Sequence, residues 1–148
     1  NVSRSYSAST KAVQSALQKV GFFIENLQIL ERPIGKALYP NGYELSGGQT
    51  QRVVLSRTFM DNSKEIFFFD EPFSQLDEMI QNQFKSLLTR QFERKTVVMV
   101  SHSLDIASLF DKIVIMQDGR IIDQGNHEEM LRSYELYKKL YTLSQHNS

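Results

Sequence analysis

The chain has 148 residues, with 17 acidic and 17 basic side chains and no cysteine. This length suits one domain with a real hydrophobic core, and an apolar content of 41% argues against a chain that is disordered as a whole. A formal charge of zero provides no bulk attraction to nucleic acid or an anionic membrane surface, and the lack of cysteine excludes a disulfide framework and fits a reducing compartment.

The N-terminal part of the chain predicts two helices followed by a loop. The sequence starts at Asn1 rather than methionine, so we expect a piece of a longer polypeptide. Apolar residues recur at helical spacing over residues 10–20, and Gly21 is expected to end that helix. A second helical stretch is predicted over residues 22–30. Prolines and glycines predict a loop over residues 33–42.

A short glycine-containing motif follows this loop and consists of Leu45, Ser46, Gly47, Gly48 and Gln49. The serine is expected to cap a helix that runs to about residue 60, and the glycines let the backbone approach a neighbouring group closely. The N-terminus of a helix carries backbone N–H groups and partial positive charge, so it favours an anion such as a phosphate. For a bare Ser-Gly-Gly sequence, an ordinary helix cap is the alternative interpretation.

Two adjacent carboxylates, Asp70 and Glu71, follow the apolar residues 66–69. This order predicts a buried parallel strand that delivers both acids to its C-terminal edge. One carboxylate at such an edge can hold a water molecule of a nucleotide-bound Mg²⁺, and its neighbour can polarise an attacking water. A solvated strand end is the alternative interpretation, and it is common for a lone acid.

The next elements predict an α/β fold. Asp77 is a predicted N-cap for a helix over residues 78–92, and an apolar strand is predicted over residues 96–100. The residues expected on the inner face of this helix are Met79, Phe84, Leu87 and Leu88. A strand, a helix and a second strand in this order predict a right-handed crossover and a parallel sheet that is covered on both faces.

The C-terminal part predicts a short helix, a hairpin and two more helices. His102 comes just after the second strand, where a lone histidine is usually structural or exposed. We expect a short helix over residues 104–110 and a hairpin over residues 113–123 with an Asp-Gly turn. Asn126 introduces a helix that opens with two glutamates, as the helix dipole favours. A last helix is predicted over residues 134–143.

These residues together resemble the sequence motifs of ABC-type ATPases. The correspondences are the signature motif at residues 45–49, the Walker B motif at Asp70 and Glu71, the D-loop at residues 73–77 and the switch histidine at His102. Residues 119–131 look like the C-terminal segment of exporter ATPase domains. The resemblance implies a partial P-loop NTPase fold, with a helical subdomain at residues 1–62 and the C-terminal part of the RecA-like core at residues 63–148.

The resemblance also implies a role for each site residue. Asp70 would hold a water ligand of the Mg²⁺ ion. Glu71 would activate the attacking water, and His102 would contact the γ-phosphate. The motif at residues 45–49, together with Asp77, would contribute to binding ATP that is held by a second ATPase domain. Nucleic acid is not an expected partner.

No stretch of the chain fits Gly-x-x-x-x-Gly-Lys-Ser/Thr, the P-loop that an ABC ATPase requires. We therefore expect the C-terminal part of an ATPase domain that is inactive alone. The resemblance implies that the full-length protein uses ATP and Mg²⁺ to drive export. It would act at the cytoplasmic face of the cell (inner) membrane, with a transmembrane domain fused upstream.

Two other classes of protein fit the same motifs. One is a soluble ABC ATPase of DNA repair or translation, for which a coiled coil or a second ATPase cassette would be expected upstream. Several apolar stretches of about twenty residues upstream would instead indicate a transporter. The other class is a degenerate interaction module without enzymatic activity, and the presence of Asp70, Glu71 and His102 counts against it.

Overall fold

The structure is a computed structural model that describes residues 9–24, 30–61 and 63–146. The helices in this part of the chain are α1 (Thr10–Lys19), α2 (Gly47–Ser56), α3 (Glu78–Gln91), α4 (His127–Ser133) and α5 (Glu135–His146). The strands are β1 (Ile66–Asp70), β2 (Thr96–Val100), β3 (Ile113–Gln117) and β4 (Arg120–Gly125). Short 3₁₀ segments cover Arg57–Phe59 and Leu104–Leu109. The chain divides into two compact units between Val100 and Ser101. The subdomain boundary expected after residue 62 stays a prediction.

Helix α1 ends where the sequence predicts. Gly21 has φ of +66°, which a glycine adopts without strain, and its N–H donates to the Gln18 carbonyl at 3.0 Å. The N–H of Phe22 donates to the Leu17 carbonyl at 3.0 Å, which completes a Schellman motif. The predicted second helix is wrong at residues 22–24, because the chain leaves this motif without helical geometry. Its continuation over residues 25–29 lies outside the described residues.

Strands β1 and β2 form a parallel pair joined through α3, as predicted. Their register runs from Ile66 opposite Thr96 to Asp70 opposite Val100. One face of this pair packs inward, with Phe69 only 6% exposed. On the other face Phe68 is 77% exposed. The prediction of strands buried on both faces is therefore wrong for the described part of the chain, because only one face of the pair is covered there.

Phenylalanine side chains fill the core of the first unit. Phe84 of α3 is 1% exposed, and its ring meets those of Phe69 and Phe73 edge-on at 5.6 Å. Such edge-to-face contacts add to the free energy gained by burying the rings. The inner face of α3 is set by Ile80, which is 2% exposed, rather than by Met79, which is 74% exposed. The placement of Met79 on the inner face is therefore a wrong prediction.

The second unit consists of a hairpin and helices. Strands β3 and β4 pair antiparallel, and Asp118 and Gly119 form the predicted turn, with φ of +50° and +73°. Helices α4 and α5 pack together around Met130 and Tyr137, each 1% exposed. Burial, and then the neighbouring Tyr141, raises the pKa of Tyr137 above its ordinary value. Within the described residues, no helix has the length and apolar character needed to cross a membrane.

Candidate functional site

The N-terminus of α2 is built by the predicted cap. The Ser46 hydroxyl oxygen accepts a hydrogen bond from the Gln49 N–H at 3.2 Å, and the Gln49 side-chain oxygen accepts one from the Ser46 N–H at 2.9 Å. This reciprocal capping box fixes where the helix begins. The amides of Gly47 and Gly48 lie in the first helical turn, where N–H groups have no carbonyl partner within the helix. They are therefore suited to contact an anion.

The two glycines of the motif lie against the loop that joins β1 to α3. We call residues 71–77 the 71–77 loop. A Cβ atom added at Gly48 would lie 2.6 Å from the backbone carbonyl oxygen of Gln75, which is closer than real Cβ atoms come. A Cβ added at Gly47 would instead meet the side-chain amide of Gln75. The predicted close backbone approach is therefore present, and the neighbouring group belongs to the chain itself.

Asp70 and Glu71 lie at the C-terminal edge of the parallel strands, as predicted. Asp70 is the last residue of β1 and is exposed. The Glu71 N–H donates to the Val100 carbonyl of β2 at 2.9 Å, so the strand pairing continues one residue beyond β1. Glu71 has φ of +45°, in the left-handed region that favours glycine. A non-glycine residue persists there only when its surroundings hold it, and such residues cluster at functional sites.

The exposed carboxylate of Asp70 fits the way proteins hold Mg²⁺ beside a nucleotide. In residues 9–24, 30–61 and 63–146, no group of three histidine or acidic side chains could hold a metal ion by itself. Magnesium in nucleotide sites keeps several waters and uses one or two carboxylates together with the phosphates of the substrate. A single carboxylate at a strand end is therefore an adequate protein contribution to such a site.

Asp77 joins the start of α3 to α2. Its Oδ1 accepts a hydrogen bond from the Ile80 N–H at 3.0 Å, which confirms the predicted N-cap. Its Oδ2 lies 2.8 Å from Nη2 of Arg52 in an ion pair. The Nη1 atom of Arg52 also donates to the Gly21 carbonyl at 3.2 Å. The role of Asp77 toward ATP stays a prediction.

Gln51 and Arg52 are functional candidates that sequence reasoning leaves without a role. Gln51 contacts the 71–77 loop through both ends of its side-chain amide. The positions of both residues, directly after the glycine motif, are visible in the sequence, but their partners are not. Those partners lie 20 to 31 residues away along the chain.

Leu45 and His102 are the remaining two candidates, and they belong to different units. Leu45 is half-buried directly before the Ser46 cap, so it belongs to the approach to α2. His102 is exposed and belongs to the second unit, two residues after β2 ends. The first unit therefore brings together the start of α2, the edge of β1 and the 71–77 loop.

Comparison with known proteins gives a consistent set of relatives, although no protein-family model matches the chain. The chain is 34% identical over 121 residues to the nisin transport ATP-binding protein NisT of Lactococcus lactis subsp. lactis, a match covering 82% of the chain and 20% of that protein. It is 33% identical over 133 residues to an ATP-dependent lipid A-core flippase of Francisella tularensis, covering 90% of the chain and 22% of that protein.

A solved structure shares the fold. The chain matches a bacterial Atm1-family ABC exporter with ATP bound, with a TM-score of 0.72 and 24% sequence identity. The match covers 97% of this chain and 25% of that one. The chain thus spans about a fifth of the length of the curated relatives it matches. The sequence relatives show that the chain belongs to the family of ABC transporter ATP-binding proteins, as an exporter-like portion of their ATP-binding domain whose own sequence contains no P-loop.

Proposed function

We propose that this chain supplies the signature half of an ATP-hydrolysing site formed between two ABC ATPase domains. The backbone amides at the start of α2, with Ser46, would contact the phosphates of ATP bound to the P-loop of the second domain. The observation that carries this proposal is the Ser46-capped, glycine-lined start of α2, packed directly against the 71–77 loop that begins with Glu71. Helix N-termini of this kind bind phosphate through N–H groups and the helix dipole.

The edge of β1 would contribute to the nucleotide of its own domain. There Asp70 would hold a water ligand of Mg²⁺, and the metal, when bound, would neutralise phosphate charge. Glu71 would accept a proton from the water whose oxygen bonds to the γ-phosphorus, while the bond to the bridging oxygen of ADP breaks. For His102, a hydrogen bond to a γ-phosphate stays a prediction from the family resemblance.

The exposed face of the β1–β2 pair supports a larger ATPase domain around this chain. Its large apolar residues are Ile66, Phe68, Val98 and Val100, with exposed fractions of 46% to 77%. Soluble proteins rarely leave contiguous apolar surface of this kind uncovered. We propose that the P-loop portion of the domain covers it, as the short span of the chain relative to its relatives would require.

In the full-length protein, ATP hydrolysis would drive export across a membrane. The relatives include a nisin transport ATP-binding protein and lipid A-core flippases. We propose that two ATPase domains close around ATP at the cytoplasmic face and reopen after hydrolysis, which would move attached transmembrane domains. We call the assembly of this chain, the P-loop portion and the second ATPase domain the complete ATPase.

Isothermal titration of the isolated chain with Mg-ATP tests whether this chain supplies only half of a nucleotide site. We expect no binding in the micromolar range, because the lysine and amides of a P-loop supply most contacts to the β- and γ-phosphates. The complete ATPase under the same conditions is the positive control. Micromolar binding by the isolated chain would show that its own residues form a whole nucleotide site, and it would refute the proposal.

A further inference from the structure

Gln51 lies in the second turn of α2 and uses both ends of its side-chain amide on the 71–77 loop. Its Nε2 donates hydrogen bonds to the Glu71 carbonyl oxygen at 2.9 Å and to the Ser74 hydroxyl at 3.3 Å. Its Oε1 accepts a hydrogen bond from the Gln75 N–H at 3.0 Å. A neutral amide is the side-chain group that offers a donor and an acceptor in this arrangement, so a carboxylate or a thioether cannot reproduce all three contacts.

The backbone of Glu71 is consequently held from both sides. Its N–H donates to the Val100 carbonyl of β2, and its carbonyl accepts from Gln51 of α2. Between these two bonds the residue adopts φ of +45°, a conformation that an L-residue keeps only under constraint. The hydrogen bond from the Glu71 N–H to β2 does not involve α2. The hydrogen bond from Gln51 to the Glu71 carbonyl does, so it depends on the position of α2.

A second link joins the same two elements at a different point. Arg52 forms an ion pair with Asp77 at the far end of the loop, and the Asp77 side chain is 52% exposed. Exposed ion pairs are screened by water and contribute little to stability. This link also ends six residues beyond Glu71. Gln51, by contrast, contacts Glu71 directly, at its carbonyl oxygen.

We propose that Gln51 is a positioning residue that couples the start of α2 to the candidate general base Glu71. This inference rests on the proposed function. A phosphate bound at the Ser46 cap would fix the first turn of α2, and Gln51, one turn further on, would pass that constraint to the Glu71 backbone. Each ATPase domain would then hold its base in the active geometry only while its signature half engages the nucleotide of the other domain.

The test compares Gln51→Met and Gln51→Glu with the wild-type complete ATPase. Both replacements keep a long side chain, so packing changes little, but neither donates to the Glu71 carbonyl at neutral pH. We expect kcat to fall about 10- to 100-fold, the scale of a misplacement of about 1 Å at a catalytic group. KM for ATP should stay within about twofold, because no group that binds the nucleotide is altered.

The pH profile separates positioning from a general structural role. The introduced carboxyl of Gln51→Glu, with an ordinary pKa of about 4.3, regains an O–H donor when it is protonated. The kcat of this variant relative to wild type should therefore rise as the pH falls from about 8 towards about 5. For Gln51→Met the ratio should stay flat. A flat ratio for both variants would mean that the side chain only supports the fold, and would overturn the inference.

Gln81→Met is the matched control. Gln81 of α3 donates to the Leu76 carbonyl at 2.9 Å, so it contacts the same loop without contacting Glu71. The kcat of the complete ATPase with Gln81→Met should differ from the wild-type value by less than about threefold. Normal kcat in both Gln51 variants, with an active wild type, would overturn this inference and leave the proposed function standing. An inactive wild-type complete ATPase would overturn the proposed function, and the inference with it.

Discussion

Glu71→Gln is expected to lower ATP hydrolysis by the complete ATPase about 100- to 10,000-fold, the usual contribution of a general base. The replacement keeps the size of the side chain and removes its ability to accept a proton. The backbone bond from Glu71 to Val100 does not involve the carboxylate, so the 71–77 loop should keep its geometry. Mg-ATP binding should therefore persist, and the variant should accumulate the nucleotide-bound form. Steady-state phosphate release and nucleotide retention measure the two effects separately.

Glu65→Gln is the matched control for this variant. Glu65 is exposed and precedes β1 at the strand end opposite to Asp70 and Glu71. The complete ATPase with Glu65→Gln should hydrolyse ATP at the wild-type rate. If Glu71→Gln retained more than about a tenth of wild-type activity, its carboxylate could not be the general base. If Glu65→Gln lost as much activity as Glu71→Gln, the loss would come from a disturbance of strand β1 rather than from the chemistry at its edge.

Gly48→Ala is expected to be the more damaging of the two glycine replacements in the signature motif. The new Cβ would lie 2.6 Å from the Gln75 carbonyl oxygen, so α2 and the 71–77 loop must separate. Overpacking of this kind costs about 1–3 kcal/mol of stability. The displaced loop carries Glu71, so hydrolysis by the complete ATPase should fall by at least about tenfold as well. Denaturant unfolding of the chain measures the loss of stability.

Gly47→Ala provides the comparison for stability. Its Cβ would meet only the end of the exposed Gln75 side chain, which can rotate away. Alanine is also the better helix former by up to about 1 kcal/mol, so the unfolding midpoint should stay near wild type or rise. Equal destabilisation by both replacements would mean that the close approach of Gly48 to the loop backbone does not limit the packing.

The elements that the sequence predicts well are those with local signals. The Ser46 cap, the Asp77 cap and the Asp-Gly turn each depend on residues within a few positions, and each is present in the structure. The parallel strands follow from two apolar runs separated by a helix. These local rules also identify both ends of the candidate site, the start of α2 and the edge of β1.

The features that could not be predicted depend on contacts between distant residues. The inward face of α3 differs from the prediction by one position, at Met79 and Ile80, because several apolar residues fit helical spacing equally well. The sequence predicts a buried Phe68, but apolar runs do not reveal which elements are present to cover each face. The contacts of Gln51 and the left-handed conformation of Glu71 depend on the packing of α2 against the loop, which has no local signal.

The start of α2 is proposed to contact a nucleotide held by another ATPase domain, and this is the central claim. Hydrogen exchange at the amides of Gly47 and Gly48 tests it most directly. With Mg-ATP and the Glu71→Gln variant, in which turnover is expected to be slow, these amides should become protected in the complete ATPase. The isolated chain should show no change with Mg-ATP. Unchanged exchange in the complete ATPase, or equal protection in the isolated chain, would contradict the claim.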